Sequence, residues 1–245
     1  SRRLAVLVLL ALLPTYLLRT QIVGIPTTWF ELALYIVFIV ALLRGELKFL
    51  NLEFWRRYQQ VLMPIGFLLV AAVLGVIITP HTRLALGILK GWIIDPLLLS
   101  VLFISLLAKI ANNETIKILW RDILLFLLLG AVVTVLAAIF LDYLQHANRL
   151  KGWYDSPNVM AMYLVPITLA CSLWFFSEIG FSTLSSRLKV FWAVSCILLL
   201  IGIILTWSFA GWLSLVASFI VCYFLKVFSW KKLALSFGLV FILTV

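Results

Sequence analysis

Chemistry in this chain must come from few side chains, because 65% of its 245 residues are hydrophobic and only 11% are charged. The densest polar stretch runs from Asp142 to Asn158, DYLQHANRLKGWYDSPN. Arg149 and Lys151 supply two cations there, and Gly152 permits a turn or a close backbone approach. Ser156 is placed to cap a helix whose first turn holds Pro157. A helix N-terminus beside two cations is a recipe for binding an anion such as phosphate. Asn158, one position into that helix, could offer its amide to a sugar hydroxyl or to a carbonyl of a neighbouring helix. The same residues also read as a capped loop with two solvated cations, and chemistry alone leaves both open.

Two further polar groups matter because ionisable residues in or beside apolar segments carry a cost. Arg19 and Glu31 are the first: Glu31 needs a partner, so it either pairs with Arg19 to fix the first hairpin or faces a substrate with it. His81, Arg83, Lys90 and Asp95 are the second. Asp95, followed by Pro96, needs a cation, and Lys90 and Arg83 are nearest in sequence; a lone carboxylate in such a segment could also carry protons or sodium. The only histidines, His81 and His146, could act as general bases or be solvated loop residues.

The elements that must position these residues are membrane helices. This composition excludes an ordinary soluble domain. Apolar runs near 4–18, 29–43, 59–79, 91–108, 122–141, 157–177, 190–207 and 209–225, with a cut run at 233–245, predict an all-α polytopic transmembrane bundle of about eight full spans plus a truncated ninth. The runs are continuously apolar and Leu-rich, without the alternation of barrel strands. Residues 1–245 read as a single transmembrane domain. The chain begins at Ser1 and stops thirteen residues into an apolar run, which points to a fragment of a longer chain.

Lysines and arginines divide fourteen to five between alternate loops, which places the N-terminus in the cytoplasm and Arg19, Arg83, Lys90, Arg149 and Lys151 on the outer side. The net charge of +10 is thus mostly topological, drawn to anionic membrane lipid, and calls for no nucleic acid. Residues 1–18 resemble a secretory leader in outline, but Pro14, Tyr16 and Arg19 stand where a cleavage site would be. The segment 44–58 either lies in the interface or is a loop with aromatic anchors. Cys171, Cys196 and Cys222 fall inside spans as apolar packers without metal-ligand spacing. No nucleotide loop, dinucleotide glycine pattern or zinc-protease motif is present, so no metal and no cofactor is expected.

The run Arg149-Leu-Lys-Gly152-Trp-Tyr-Asp-Ser-Pro157-Asn158 followed by Val-Met-Ala161 resembles the R-x-x-G-x-[FY]-x-x-P-N-x-x-A segment of O-antigen ligase and O-antigen polymerase family membrane proteins. The first hairpin, from Leu13-Pro14 through Arg19 and Gly24-Ile-Pro26 to Glu31, is similar to the N-terminal region of bacterial members. With the span count, the resemblance covers essentially the whole chain, as the N-terminal portion of a member.

The resemblance implies a GT-C-like glycosyltransferase of the bacterial inner membrane, active in lipopolysaccharide or other cell-envelope polysaccharide biosynthesis. Such an enzyme moves a glycan from a polyprenyl (undecaprenyl) pyrophosphate carrier to lipid A-core, a growing glycan or another acceptor on the outer face. Arg149, Lys151, Gly152, Pro157 and Asn158 would then form part of the donor pocket, with Arg19, Arg83 and Lys90 as supporting phosphate contacts. The chain departs from the family at Thr206-Trp-Ser208-Phe209, where members carry Thr-x-Ser-Arg, and the loop holding the family's proposed base would lie beyond Val245. No catalytic residue is therefore carried over. The alternatives are a secondary transporter or lipid flippase with Asp95 or Glu31 as coupling carboxylate, and a structural scaffold.

Overall fold

The structure, a computed structural model, describes residues 2–22, 25–47, 56–108, 113–145, 149–177, 180, 182 and 184–224; within these, the side chains of 19, 21, 22, 25, 26, 143 and 223 are outside the description. The fold is mostly helical. Continuously apolar segments favour helices because every interior backbone group is then satisfied within its own segment. Among the described residues, five helices are long and apolar enough to cross a membrane, and two further apolar helices are shorter. The expected run at 233–245 lies outside the described residues.

The first unit comprises residues 1–9 and 19–113. Helix α1, Arg2–Ala11, opens in this unit and stops well short of the expected end at residue 18. Pro14 explains the difference: lacking an N–H and clashing with the preceding turn, it sits in a 3-10 turn, Leu13–Leu17, instead of continuing the helix. Strands β1 (Arg19–Ile22) and β2 (Ile25–Thr28) then pair antiparallel, Arg19 opposite Thr28, a hairpin that the hydropathy pattern does not announce. Helix α2, Trp29–Leu43, starts at a reciprocal cap: Glu31 N–H donates to Thr28 Oγ1 at 3.1 Å, and Thr28 N–H donates to Glu31 Oε2 at 3.0 Å.

Helix α3, Gln59–Ile78, has no buried residue. The following apolar helix begins at Thr82, nine residues before the expected start, and runs to Leu107 without a break. It consists of α4 (Thr82–Leu89), a π-helical turn (Lys90–Ile94) and α5 (Asp95–Leu107). The wide turn has a local cause. Pro96 offers no N–H and would crowd the carbonyl four residues earlier, and opening the helix by one residue relieves both demands. Helix α2 packs against α5. Arg2 ties the start of α1 to both ends of that pair, donating Nη2–H to the Ser105 carbonyl at 3.0 Å and pairing with Glu46 at 3.3 Å.

The second unit comprises residues 10–18 and 114–245. Its helices are α6 (Asn113–Leu144), α7 (Pro157–Phe176), α8 (Ser186–Leu205) and α9 (Phe209–Phe224). Their shared core includes Leu128 and Val135 of α6, Met160 and Leu164 of α7, Trp192, Leu199 and Ile203 of α8, and Leu215 and Phe219 of α9. Helices in lipid gain little from hydrophobic transfer between one another, so close packing and interhelical hydrogen bonds must hold them. Both are present. Trp192 Nε1–H donates to the Cys171 carbonyl at 3.0 Å, and the Cys171 thiol donates to the Leu124 carbonyl at 3.7 Å. The thiol at Cys171 is thus an apolar packer with one weak bond, as its position in a span predicts.

Gly202 sets the approach of α8: a Cβ there would lie 2.7 Å from Val135 Cγ2 and 3.4 Å from Leu164 Cδ1. Gly66 on α3 has nothing within 4 Å of a built Cβ. Gly202→Leu should therefore lower stability by about 1–3 kcal/mol through overpacking against a stiff β-branched neighbour. Gly66→Ala should cost nothing. Thermal unfolding of the two variants in one detergent checks the contrast, and equal losses would contradict this packing.

Candidate functional site

Arg149 and the residues after it are held by their own unit before any ligand is considered. Arg149 Nε–H donates to the Thr206 carbonyl and Nη2–H to the Trp207 carbonyl, each at 3.0 Å. Leu150 N–H donates to the Leu205 carbonyl at 2.9 Å. The carbonyl of Leu205, the last residue of α8, and those of the two residues that follow it are thereby satisfied by a segment more than fifty residues away in sequence. This bonding also steadies an unusual backbone: Trp207 has φ of 50°, a left-handed conformation costing a non-glycine residue roughly 1–2 kcal/mol. The turn then enters α9, where Ser208 Oγ accepts from Gly211 N–H at 3.1 Å.

The following two amides are fixed from the other side. Asp142, buried near the end of α6, accepts Lys151 N–H at 2.6 Å and Gly152 N–H at 2.8 Å through Oδ2. Its Oδ1 is buried without a hydrogen-bond partner among the described residues. Gly152 has φ of +57°, and a Cβ there would meet Ala138 Cβ at 2.7 Å, so the position requires glycine on both backbone and steric grounds. Ser156 caps α7 as expected, accepting Val159 N–H at 3.4 Å, and Pro157 stands at the first helical position. Asn158 is exposed beside it.

An aromatic row continues from the loop into α7, with ring centroids of Trp153 and Tyr154 6.5 Å apart and those of Tyr154 and Tyr163 6.0 Å apart. Burial pushes the Tyr154 phenol well above its ordinary range, so it stays protonated. The structure thus brings together, within one unit, Arg149, Lys151, Gly152, Pro157 and Asn158 with the Thr206–Ser208 turn that carries the second motif. The Lys151 side chain is half-buried, and its ammonium makes no hydrogen bond or ion pair among the described residues. Arg149 retains guanidinium N–H groups beyond the two committed to carbonyls.

Arg19, Arg83 and Lys90, expected as supporting phosphate contacts, belong to the first unit. Lys90 is engaged there in an ion pair with Glu31, Nζ to Oε2 at 2.9 Å. Glu31 therefore bonds Lys90 and its own helix cap; the Arg19 side chain lies outside the described residues. Arg83 is exposed on α4 and takes part in an interaction of its own. Asp95, for which a cation was expected, instead receives the Tyr35 hydroxyl at 2.7 Å. His81 is exposed just before α4, and His146 lies outside the described residues. Phe209 is 80% exposed at the start of α9.

Sequence reasoning missed Tyr35, Asp142 and the reciprocal cap at Thr28. Two had a signal: Tyr35 follows Glu31 by one helical turn, and Thr28-x-x-Glu31 is the capping-box spacing. Asp142 had none, because nothing in the chain announces which backbone amides a carboxylate will accept. Among the described residues no group of three or more metal-ligating side chains occurs. Neither protein-family models nor curated proteins nor solved structures give a match to the chain.

Asp142→Ala should free the Lys151 and Gly152 amides, a loss of about 1–3 kcal/mol for bonds to a charged acceptor. Amide exchange at those two positions should then accelerate about tenfold or more. Unchanged exchange would show that the carboxylate does not hold the loop.

Proposed function

We propose that this chain is part of a membrane glycosyltransferase of the O-antigen ligase or polymerase kind. It would transfer a glycan from a polyprenyl-pyrophosphate carrier to lipid A-core, a growing glycan or another surface acceptor. The reading sets the chain in a bacterial inner membrane with its N-terminus cytoplasmic and the Arg149–Asn158 loop on the outer side, following the charge bias of its loops. The observation that carries it is the anchored loop. Two motifs far apart in sequence share one set of hydrogen bonds, and the Arg149 guanidinium and the Lys151 backbone are held before a ligand arrives.

The chemistry is charge stabilisation. As the sugar leaves, negative charge builds on a pyrophosphate, and fixed donors aimed at that charge lower the barrier because they need not reorganise. Lys151 supplies an ammonium with no partner to give up among the described residues. Arg149 supplies its remaining N–H groups from a guanidinium whose other edge is bound to carbonyls, the orientation that bidentate phosphate recognition uses. The N-terminus of α7 adds the Asn158 amide, while Gly152 and Pro157 shape the backbone. The donor is already activated by its lipid, so no nucleotide or metal takes part, and no residue of this chain is assigned as base.

Lys151→Met and Arg149→Ala, made in the natural full-length protein, should each lower glycan transfer from a polyprenyl-pyrophosphate donor by about tenfold or more. Lys151→Met should leave membrane insertion and thermal stability unchanged, because its ammonium bonds no group among the described residues. Transfer at the wild-type rate in both variants would overturn the assignment.

A further inference from the structure

A second buried polar cluster lies in the first unit, independent of the transferase reading. Glu31 and Asp95 are 3% and 2% exposed. The groups that act on the Asp95 carboxyl from the packed elements are Tyr35 and Glu31 of α2 and Lys90 of the π-helical turn. Glu31 binds Lys90 at 2.9 Å and Asp95 accepts Tyr35 Oη–H at 2.7 Å, which leaves Asp95 Oδ2 buried without a hydrogen-bond donor among the described residues and its carboxyl beside that of Glu31. Among the described side chains, two carboxylates and one ammonium leave a net charge of −1 among apolar helices. An uncompensated buried charge there costs several kcal/mol or is neutralised.

We infer that Glu31 and Asp95 together hold one exchangeable monovalent cation, a proton or a sodium ion, at the open Asp95 oxygen. One positive charge balances the cluster. A divalent ion would overshoot it, and no three-carboxylate or histidine set to bind one occurs among the described residues. The tyrosine and lysine donate to the two carboxylates and hold them in place. The π-helical turn sets Lys90 and Asp95 on either side of a local widening, a feature that recurs at functional sites in helices.

The test uses the whole chain in lipid nanodiscs of neutral phospholipid. The native state holds a proton that the unfolded chain releases, so in sodium-free choline chloride the unfolding midpoint should fall as pH rises from about 4, where an unfolded aspartate ionises, to about 7, by roughly 3 to 5 °C per pH unit over the falling range. Asp95→Asn should abolish that fall. Replacing choline by sodium at constant ionic strength and high pH restores the midpoint if sodium is the occupant and does nothing if the proton is. A midpoint indifferent to both pH and sodium overturns the inference, as does an Asp95→Asn variant that responds like the wild type. Should that variant not fold, the wild type still decides. Either an infrared carbonyl band of a buried protonated carboxyl or saturable binding of radioactive sodium supports the site, and the lack of both overturns it.

Discussion

A polar backbone group at the end of an apolar helix has nowhere to turn except to the protein itself, and this constraint organises the second unit. The last carbonyl of α8 is met by the amide of Leu150, and the two carbonyls after it by Arg149. The amides that follow are met by Asp142 of α6. One short loop is therefore held between two helices, its arginine reaching the chain beyond α8 and an aspartate of α6 accepting its amides. Its most polar residues are structural first, and any ligand chemistry is added to side chains already held in place. Replacing Arg149 by lysine would keep the charge and forfeit the forked geometry that reaches two successive carbonyls.

The same constraint acts on side chains in the first unit. Glu31 serves a helix start and an ammonium at once, through a single oxygen. Asp95 has a neutral donor in Tyr35, and the nearest lysine in sequence is committed to the other carboxylate. The charge count is thus unequal within a well-bonded cluster, whereas in the second unit the cations outnumber what the protein needs. The two clusters pose opposite electrostatic problems, that around Asp95 short of positive charge among the described residues and that around Arg149 with positive charge to offer.

Much of this was legible in the sequence where a period or a cap could be read. The long apolar runs gave the helices, and Ser156-Pro157 gave the start of α7 to the residue. Helix ends were less legible. The break after Ala11 follows from Pro14, and the early start at Thr82 needed the π-helical turn that Pro96 favours, neither of which hydropathy records. Partners across the fold were least legible: Arg149 reads as a free cation until the turn at Trp207 is placed beside it, and Glu31 reads as a partner for Arg19 until the cap and Lys90 claim it. Charge and type can be read locally, but pairing depends on which elements pack together.

Helix α3 is apolar from Val61 to Ile78 and buries none of its residues. With no side chain buried in its own unit's core, its helicity rests chiefly on internal hydrogen bonds and on the solvent around it. A segment of this length and composition can stand as a solitary span, so in a bilayer it would belong to the first stage of assembly, entering before any helix-to-helix recognition begins. It would then act as a tether between stages, and the segments on either side of it would start their search for partners already confined to the same two-dimensional sheet.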